Sequence, residues 1–180
     1  PSSHDVTEMR LAKILYPHAD VLISQTAEMK EEMIKYYSVE ATDVITINNP
    51  VDKDLIRQKI KESVALDSDQ VKYMACSRLS PQKDIPTMLK AFALVRETVP
   101  NAILYLIGKP DSEEYGMSLK SLTCSLGISE FVKFVGFQAN PYKYLKYADV
   151  FVLSSIYEGL PNVMLEAMYL GKPVAVTACI

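Results

Sequence analysis

The side chains that could do chemistry fall into two pairs, Glu158 with Glu166 and Arg78 with Lys83. The glutamates are spaced Glu-x7-Glu, and Asn162 lies four residues before the second, so a helix there puts Asn162 and Glu166 on one exposed face. Free N–H groups at the start of such a helix favour an anion, whereas two carboxylates repel one unless they address its neutral hydroxyls. A phosphate joined to a sugar satisfies both demands. Taken singly, Glu158 is by default a complement to the helix dipole and Glu166 a solvated helix residue, so the pairing needs a second argument. Arg78 and Lys83 supply a candidate: a planar guanidinium and a mobile ammonium converging on a helix N-terminus would make a diphosphate site out of side chains. Alone, these two also read as surface residues.

The elements that must position them follow from the hydrophobic pattern. Residues 148–153 form a short, nearly all-apolar run rich in Val and Phe, the signature of a strand buried on both faces of a parallel sheet. Pro161 stands where a first helical residue would, Val163, Met164, Ala167 and Met168 recur at helical spacing, and Gly171 closes the helix before a strand at 174–176. Upstream, strands are expected over 71–76, 102–107 and 131–135, with Gly108 and Gly136 behind the last two. Between them fall a helix opened by Asp84 and Pro86 and marked by Ile85, Met88, Leu89, Phe92 and Val95, a helix over 113–126, and a Tyr-rich helix over 141–147. This βαβαβαβαβ order predicts an α/β fold, a doubly wound parallel sheet with right-handed crossovers. The usual order sets its first strand beside its fourth, so the loops carrying Arg78, Lys83 and Glu158 should face one crevice at the topological switch point. No glycine occurs between Pro1 and Ile107, so the glycine-rich turn of a dinucleotide fold is missing and basic side chains stand in its place.

The N-terminal part reads differently. Asp5 and Glu8 form a candidate capping box for a helix ending at Pro17, residues 19–24 and 44–47 read as strands, and Ser24 or Thr26 can cap a helix carrying Met29, Met33, Tyr36 and Tyr37. Asn48-Asn49-Pro50 breaks the pattern, and the polar stretch 52–70, helical in its first half, reads as a connector. We therefore expect a boundary near residue 50, with one domain remnant at 1–50 and a second domain at 51–180. The formal net charge of −3 gives no support to nucleic-acid binding, while leaving room for a local basic patch against a membrane. No apolar run approaches about 18 residues, the length needed to span a bilayer. Cys76, Cys124 and Cys179 are odd in number and widely spaced, which argues against a disulfide framework or a zinc site and suits a reducing, cytoplasmic setting. Asp67-Ser68-Asp69 has the form of a metal-binding Asp-x-Asp, but it lies before the first strand and away from the crevice, where turn chemistry explains it better. The start at Pro1-Ser2-Ser3-His4 is abrupt and reads like a cut within a longer protein.

Arg-Leu-Ser-Pro-Gln-Lys at 78–83, Gly136-Phe137, and Tyr-Glu-Gly-Leu-Pro-Asn-Val-Met-Leu-Glu-Ala-Met at 157–168 ending in Gly-Lys-Pro-Val resemble the retaining, nucleotide-sugar-dependent glycosyltransferases of family four. The resemblance covers 71–180 strongly and 19–52 less specifically. It implies the GT-B architecture, two Rossmann-like domains facing a cleft, with the donor held mainly by the C-terminal one. By that resemblance Arg78 and Lys83 hold the donor diphosphate, Glu158 contacts the transferred sugar as the catalytic-site carboxylate, and Glu166 contacts the ribose hydroxyls. Gly136 and the backbone around Gly159, Leu160, Pro161 and Asn162 complete the donor site. The donor would be a UDP or GDP sugar, the acceptor a glycan or lipid-linked molecule, and neither a metal nor a separate cofactor is implied. The family commonly has a glycine before the arginine and after the lysine, where this chain has Ser77 and Asp84. Nearly all of the N-terminal domain is lacking, with its acceptor site and histidine, and neither His4 nor His18 matches that histidine. The 180-residue chain alone is therefore expected to be inactive, with residues 1–49 either folding back on the C-terminal domain or associating with a second copy. An epimerase acting on a nucleotide sugar, or a noncatalytic nucleotide-sugar-binding module, would share the donor site.

Overall fold

The computed structural model describes residues 3–178, and side chains from residue 9. The chain divides into two compact units, Pro1–Pro50 and Val51–Cys179. The first holds α1 (Ser3–Leu15), a 3-10 turn Tyr16–His18, β1 (Leu22–Ser24), α2 (Ala27–Tyr37) and β2 (Val44–Thr46). Thr26, rather than Ser24, caps α2 by accepting the Met29 N–H at 3.1 Å. Ser24 is instead buried, its hydroxyl 2.9 Å from that of Thr46 across the parallel β1–β2 pair. Val21, Ile23, Ile45 and Ile47 remain exposed around this two-stranded sheet. The side chains of the expected Asp5–Glu8 capping box, and Cys179, lie outside the described residues.

The second unit begins with α3 (Lys53–Lys59), capped by Asp52, which accepts the Leu55 N–H at 2.9 Å. The connector, read as helical in its first half, thus begins the unit with this helix. Ile56 is buried, Asn140 Nδ2 donates to the Lys59 carbonyl at 2.9 Å, and Lys146 Nζ donates to the Ile60 and Glu62 carbonyls, each at 2.8 Å. Then follow β3 (Val71–Cys76), α4 (Ile85–Thr98), β4 (Ala102–Ile107), α5 (Glu113–Ser125), β5 (Val132–Gly136), α6 (Tyr142–Leu145), β6 (Val150–Leu153), α7 (Asn162–Tyr169) and β7 (Val174–Val176). All pairings are parallel, in the order β5-β4-β3-β6-β7, so the unit's first and fourth strands are neighbours. That is the doubly wound order, with chain direction across the sheet reversing at β3 and β6.

Strand alternation divides the core in two. Ala75, Leu104 and Leu106 face α4 and α5 with Ile85, Leu89, Phe92 and Leu119, while Met74, Ile103, Tyr105, Ile107 and Phe151 face α6 and α7 with Leu145 and Ala167. β4 is buried at all six positions because helices cover both its faces. Met168, expected in the apolar stripe of α7, is 53% exposed, and Val163, Met164 and Leu170 pack inward instead. The β3–β6 neighbourhood is fastened at its amino end by Asp149, whose Oδ2 accepts the Lys72 N–H at 2.7 Å while its own N–H donates to the Lys72 carbonyl at 2.9 Å. At the carboxyl end, Gly108 (φ 151°) lies so close to β3 that a Cβ there would sit 1.7 Å from the Ser77 carbonyl oxygen. Only glycine permits that approach. An apolar cavity of about 270 Å³ lies on the α4 side of β6 and β7, lined by Met88, Phe92, Val152 and Ala175, and reaches Ser154 and Thr177 at the strand ends.

Candidate nucleotide-sugar site

The loops 77–84 and 154–161 follow the adjacent strands β3 and β6, and hydrogen bonds join them. The Ile156 N–H donates to the Gln82 carbonyl at 2.8 Å, and Gln82 Nε2 donates to the Tyr157 carbonyl at 3.0 Å. The buried Ser154 hydroxyl reaches the carbonyls of Lys83 and Asp84 at 2.7 and 2.9 Å. Lys83, the last residue of a 3-10 turn Pro81–Lys83, is thereby aimed across the crevice, where its ammonium forms an ion pair with Glu158. Both side chains are well shielded, 15% and 11% exposed. Ser155 is almost completely buried and donates its hydroxyl proton to Glu158 Oε1 at 2.5 Å. The Ser155 carbonyl in turn accepts the Thr177 hydroxyl at 2.7 Å, tying the loop to the segment after β7. Ser155 and Thr177 were not legible as site residues. The available signal is the three-residue interval from Ser155 to Glu158, the spacing at which a short polar side chain reaches along one turn.

Arg78 does not converge with Lys83. Its guanidinium is exposed and lies 3.9 Å from Asp111, in the loop before α5. Such a solvated pair is weak, so the guanidinium is held only loosely. Asp84 combines two roles: its carboxylate accepts the Thr87 N–H at 3.3 Å as the cap of α4, and its backbone is left-handed at φ 43°. That left-handed conformation is the one a glycine adopts without strain.

Gly136, at the end of β5, is also left-handed at φ 77°, and its carbonyl accepts the Gly108 N–H at 2.9 Å. A cavity of about 360 Å³ beside it is lined by Leu79, Gly108, Lys120 and Gly136 among others. Gly159 and Leu160 lie in the loop before α7, and Pro161 precedes the helix instead of opening it, with φ −71° and ψ 105°. Asn162 is the first helical residue and is exposed.

Glu166 departs from the expected solvated face. It is only partly exposed, because α7 packs over the carboxyl end of β3 beside α6, and the Tyr142 hydroxyl donates to its Oε1 at 3.0 Å. Burial raises the carboxyl above the ordinary glutamate value, while the Tyr142 bond works in the opposite direction. Burial also pushes the Tyr142 phenol up to about 12, with the Glu166 charge adding to the effect. The Cys76 thiol, at the end of β3, is likewise raised to about 12 by burial and then by Glu166. Phenol and thiol both remain neutral near pH 7.

Asp67-Ser68-Asp69 forms a local turn in which Asp67 Oδ1 accepts the Asp69 N–H at 3.0 Å and Asp69 Oδ1 accepts the Ser68 hydroxyl at 3.0 Å. Among the described residues no group of three or more His, Cys, Asp or Glu side chains could hold a metal ion. The crevice can offer instead one shielded ammonium, one exposed guanidinium, two carboxylates whose Oε1 atoms are occupied by hydroxyls, and the start of a helix. An ammonium has three protons to donate, so Lys83 can keep Glu158 and still reach an anionic oxygen.

Residues 56–180 match the family described as Glycosyl transferases group 1. The chain belongs to the group 1 glycosyltransferases. It is 31% identical over 172 residues to the uncharacterized glycosyltransferase MJ1059 of Methanocaldococcus jannaschii, covering 93% of this chain and 42% of that protein. It is 26% identical over 167 residues to the N-acetylgalactosamine-N,N'-diacetylbacillosaminyl-diphospho-undecaprenol 4-alpha-N-acetylgalactosaminyltransferase of Campylobacter jejuni, covering 93% of this chain and 44% of that protein. The chain spans less than half the length of these relatives. The crystal structure of Anabaena Alr3699/HepE in complex with UDP and glucose has the same fold, with a TM-score of 0.82 at 23% identity over 96% of this chain and 48% of that one. The sheet described above is that of a Rossmann-like half of the GT-B fold.

Proposed function

We propose that this chain carries the donor-binding domain of a retaining glycosyltransferase, which moves a sugar from a nucleoside diphosphate to a glycan or lipid-linked acceptor. The observation that carries the reading is the shielded Lys83–Glu158 pair between the loops after β3 and β6, a cation and a hydroxyl-seeking carboxylate at the switch point of a doubly wound sheet. In this reading Lys83 and Arg78 meet the diphosphate, Glu158 takes a hydroxyl of the transferred sugar, and Glu166 takes the ribose. Gly136 and the 159–162 segment line the same donor. The bond between the anomeric carbon and the diphosphate oxygen breaks, the acceptor oxygen bonds that carbon on the same face, and the acceptor proton leaves with the diphosphate. Charge accumulating on the departing phosphate is what Lys83, Arg78 and the helix amides stabilise.

A UDP-type donor is supported by the Anabaena neighbour, whose structures hold UDP and UDP-glucose, although a GDP sugar has the same diphosphate and ribose. A lipid-linked acceptor is supported by the Campylobacter relative, whose name specifies a diphospho-undecaprenol substrate. With such an acceptor, we infer a cytoplasmic protein in peripheral contact with the inner membrane face. Among the described residues no helix is long and apolar enough to cross a membrane. With under half of its relatives' length, the 180-residue chain should bind the donor without transferring the sugar. We also place a domain boundary at residue 50.

The test is a binding screen of UDP and GDP sugars in the presence of EDTA, followed by Arg78→Ala and Lys83→Ala. Each substitution should cost about 1.5–3 kcal/mol of donor affinity, the range for hydrogen bonds to charged groups. Unchanged affinity in both variants would remove the diphosphate assignment, and binding that needs added manganese would remove its metal independence. Product analysis of the longer enzyme separates transfer from epimerisation.

A further inference from the structure

Glu166 is served by a neighbour that no motif contains. Tyr142 is the first residue of α6, a single-turn helix in the crossover from β5 to β6, and it lies 24 residues from Glu166. Its ring packs against the core shared by α6 and α7, and its hydroxyl donates to Glu166 Oε1 at 3.0 Å. Among the described residues, the titratable groups facing this carboxylate are Cys76 from the end of β3 and Tyr142 from α6, with Asp52 bearing on Tyr142 from before α3. In this bond the tyrosine hydroxyl donates and the carboxylate accepts. A half-buried carboxylate with one oxygen so occupied has lost the rotational freedom of an ordinary surface glutamate.

We propose that Tyr142 is a positioning residue for Glu166, its hydroxyl holding Oε1 so that the second carboxylate oxygen meets the ribose diol of a nucleoside diphosphate. The proposal rests on the donor-site reading above and adds a residue to it. The hydroxyl acts through Glu166 and not on the nucleotide. Removing it therefore harms ribose recognition selectively and leaves the rest of the site in place. It also removes a hydrogen bond that favours the charged carboxylate against burial, so Glu166 then protonates at higher pH. A protonated carboxyl is the poorer acceptor for a ribose hydroxyl. The acid-side loss of nucleotide binding, which sets in as pH falls through the Glu166 value, moves upward.

The experiment compares Tyr142→Phe, Glu166→Ala and the double variant with the unchanged chain, by calorimetric titration of UDP and 2′-deoxy-UDP across pH. Tyr142→Phe should weaken UDP about tenfold, roughly the value of one hydrogen bond to a charged group, and 2′-deoxy-UDP clearly less. It should add little once Glu166 is alanine, because the pair acts as a unit. Independently of any ligand, carboxyl NMR titration should show the Glu166 pKa rising in Tyr142→Phe. Equal weakening of both nucleotides, full additivity with Glu166→Ala, or an unmoved Glu166 pKa would each overturn the positioning role while leaving the donor site standing. If UDP, GDP and ADP all fail to bind the unchanged chain, the donor reading falls and this proposal with it.

Discussion

Lys83 and Glu158 pair where little water reaches either, so removing one leaves the other without its counter-ion. Removing one partner of a shielded ion pair leaves an uncompensated charge and costs about 3–5 kcal/mol when burial is complete. Lys83 is 15% exposed and its partner 11%, so Lys83→Ala should fall near the lower end, about 3 kcal/mol, in denaturant unfolding. Lys83→Met combined with Glu158→Gln should recover most of that loss, because the pair is then replaced and not broken. A single variant as stable as the parent would mean that the ion pair is not maintained in solution. Arg78 provides the contrast, since its solvated contact with Asp111 contributes little and Arg78→Ala should leave the unfolding midpoint nearly unchanged. The two basic residues thus separate: one is built into the crevice wall, and the other is held only by an exposed contact.

At the scale of elements, the crevice depends on how sharply the chain turns after β3. Asp84 ends the 3-10 turn, caps α4 and adopts a left-handed backbone, so two energies meet in one residue. Asp84→Ala loses the cap, worth about 1 kcal/mol, and keeps the unfavourable backbone without the local bonding that makes Asp tolerable there. Asp84→Gly loses the cap bond but relieves the backbone. Thermal unfolding should therefore place the alanine variant below the parent by about 1–2 kcal/mol and the glycine variant close to the parent. The reverse order would show that the cap alone matters. Gly108 constrains the same end of the sheet through the close approach to the Ser77 carbonyl, and Asp149 fastens the opposite end of the β3–β6 pair. The site geometry rests on these three backbone fixtures as much as on its charged side chains.

For the molecule as a whole, the two units differ in how much of their apolar surface is covered. The Val51–Cys179 unit has a five-stranded sheet with a core on each face, whereas the Pro1–Pro50 unit has two three-residue strands and leaves Val21, Ile23, Ile45 and Ile47 exposed. Two strands alone form a marginal sheet, and exposed apolar edges invite pairing with another chain. Sedimentation velocity should show concentration-dependent self-association that Ile23→Lys with Ile45→Lys abolishes, with UDP binding unaffected. A monomer at all concentrations would reject this.

The sequence by itself determined the alternation of strands and helices, the parallel sheet and the family. Those depend on local hydrophobic period and on motifs within a few residues of one another: 71–76, 102–107 and 174–176 read as strands and are β3, β4 and β7. It also marked Lys83 and Glu158 as members of facing loops, because the switch point of a doubly wound sheet follows from element order. Tertiary structure alone decided the partners. Lys83 joins Glu158 across 75 residues while Arg78 turns to Asp111, and Glu166 goes under α6 to meet Tyr142 instead of facing solvent. An ion pair or hydrogen bond exists only within a window of about an ångström. Burial, which sets the protonation of Glu166, Tyr142 and Cys76, is a sum over every neighbour that packing brings near, and no run of sequence contains that sum.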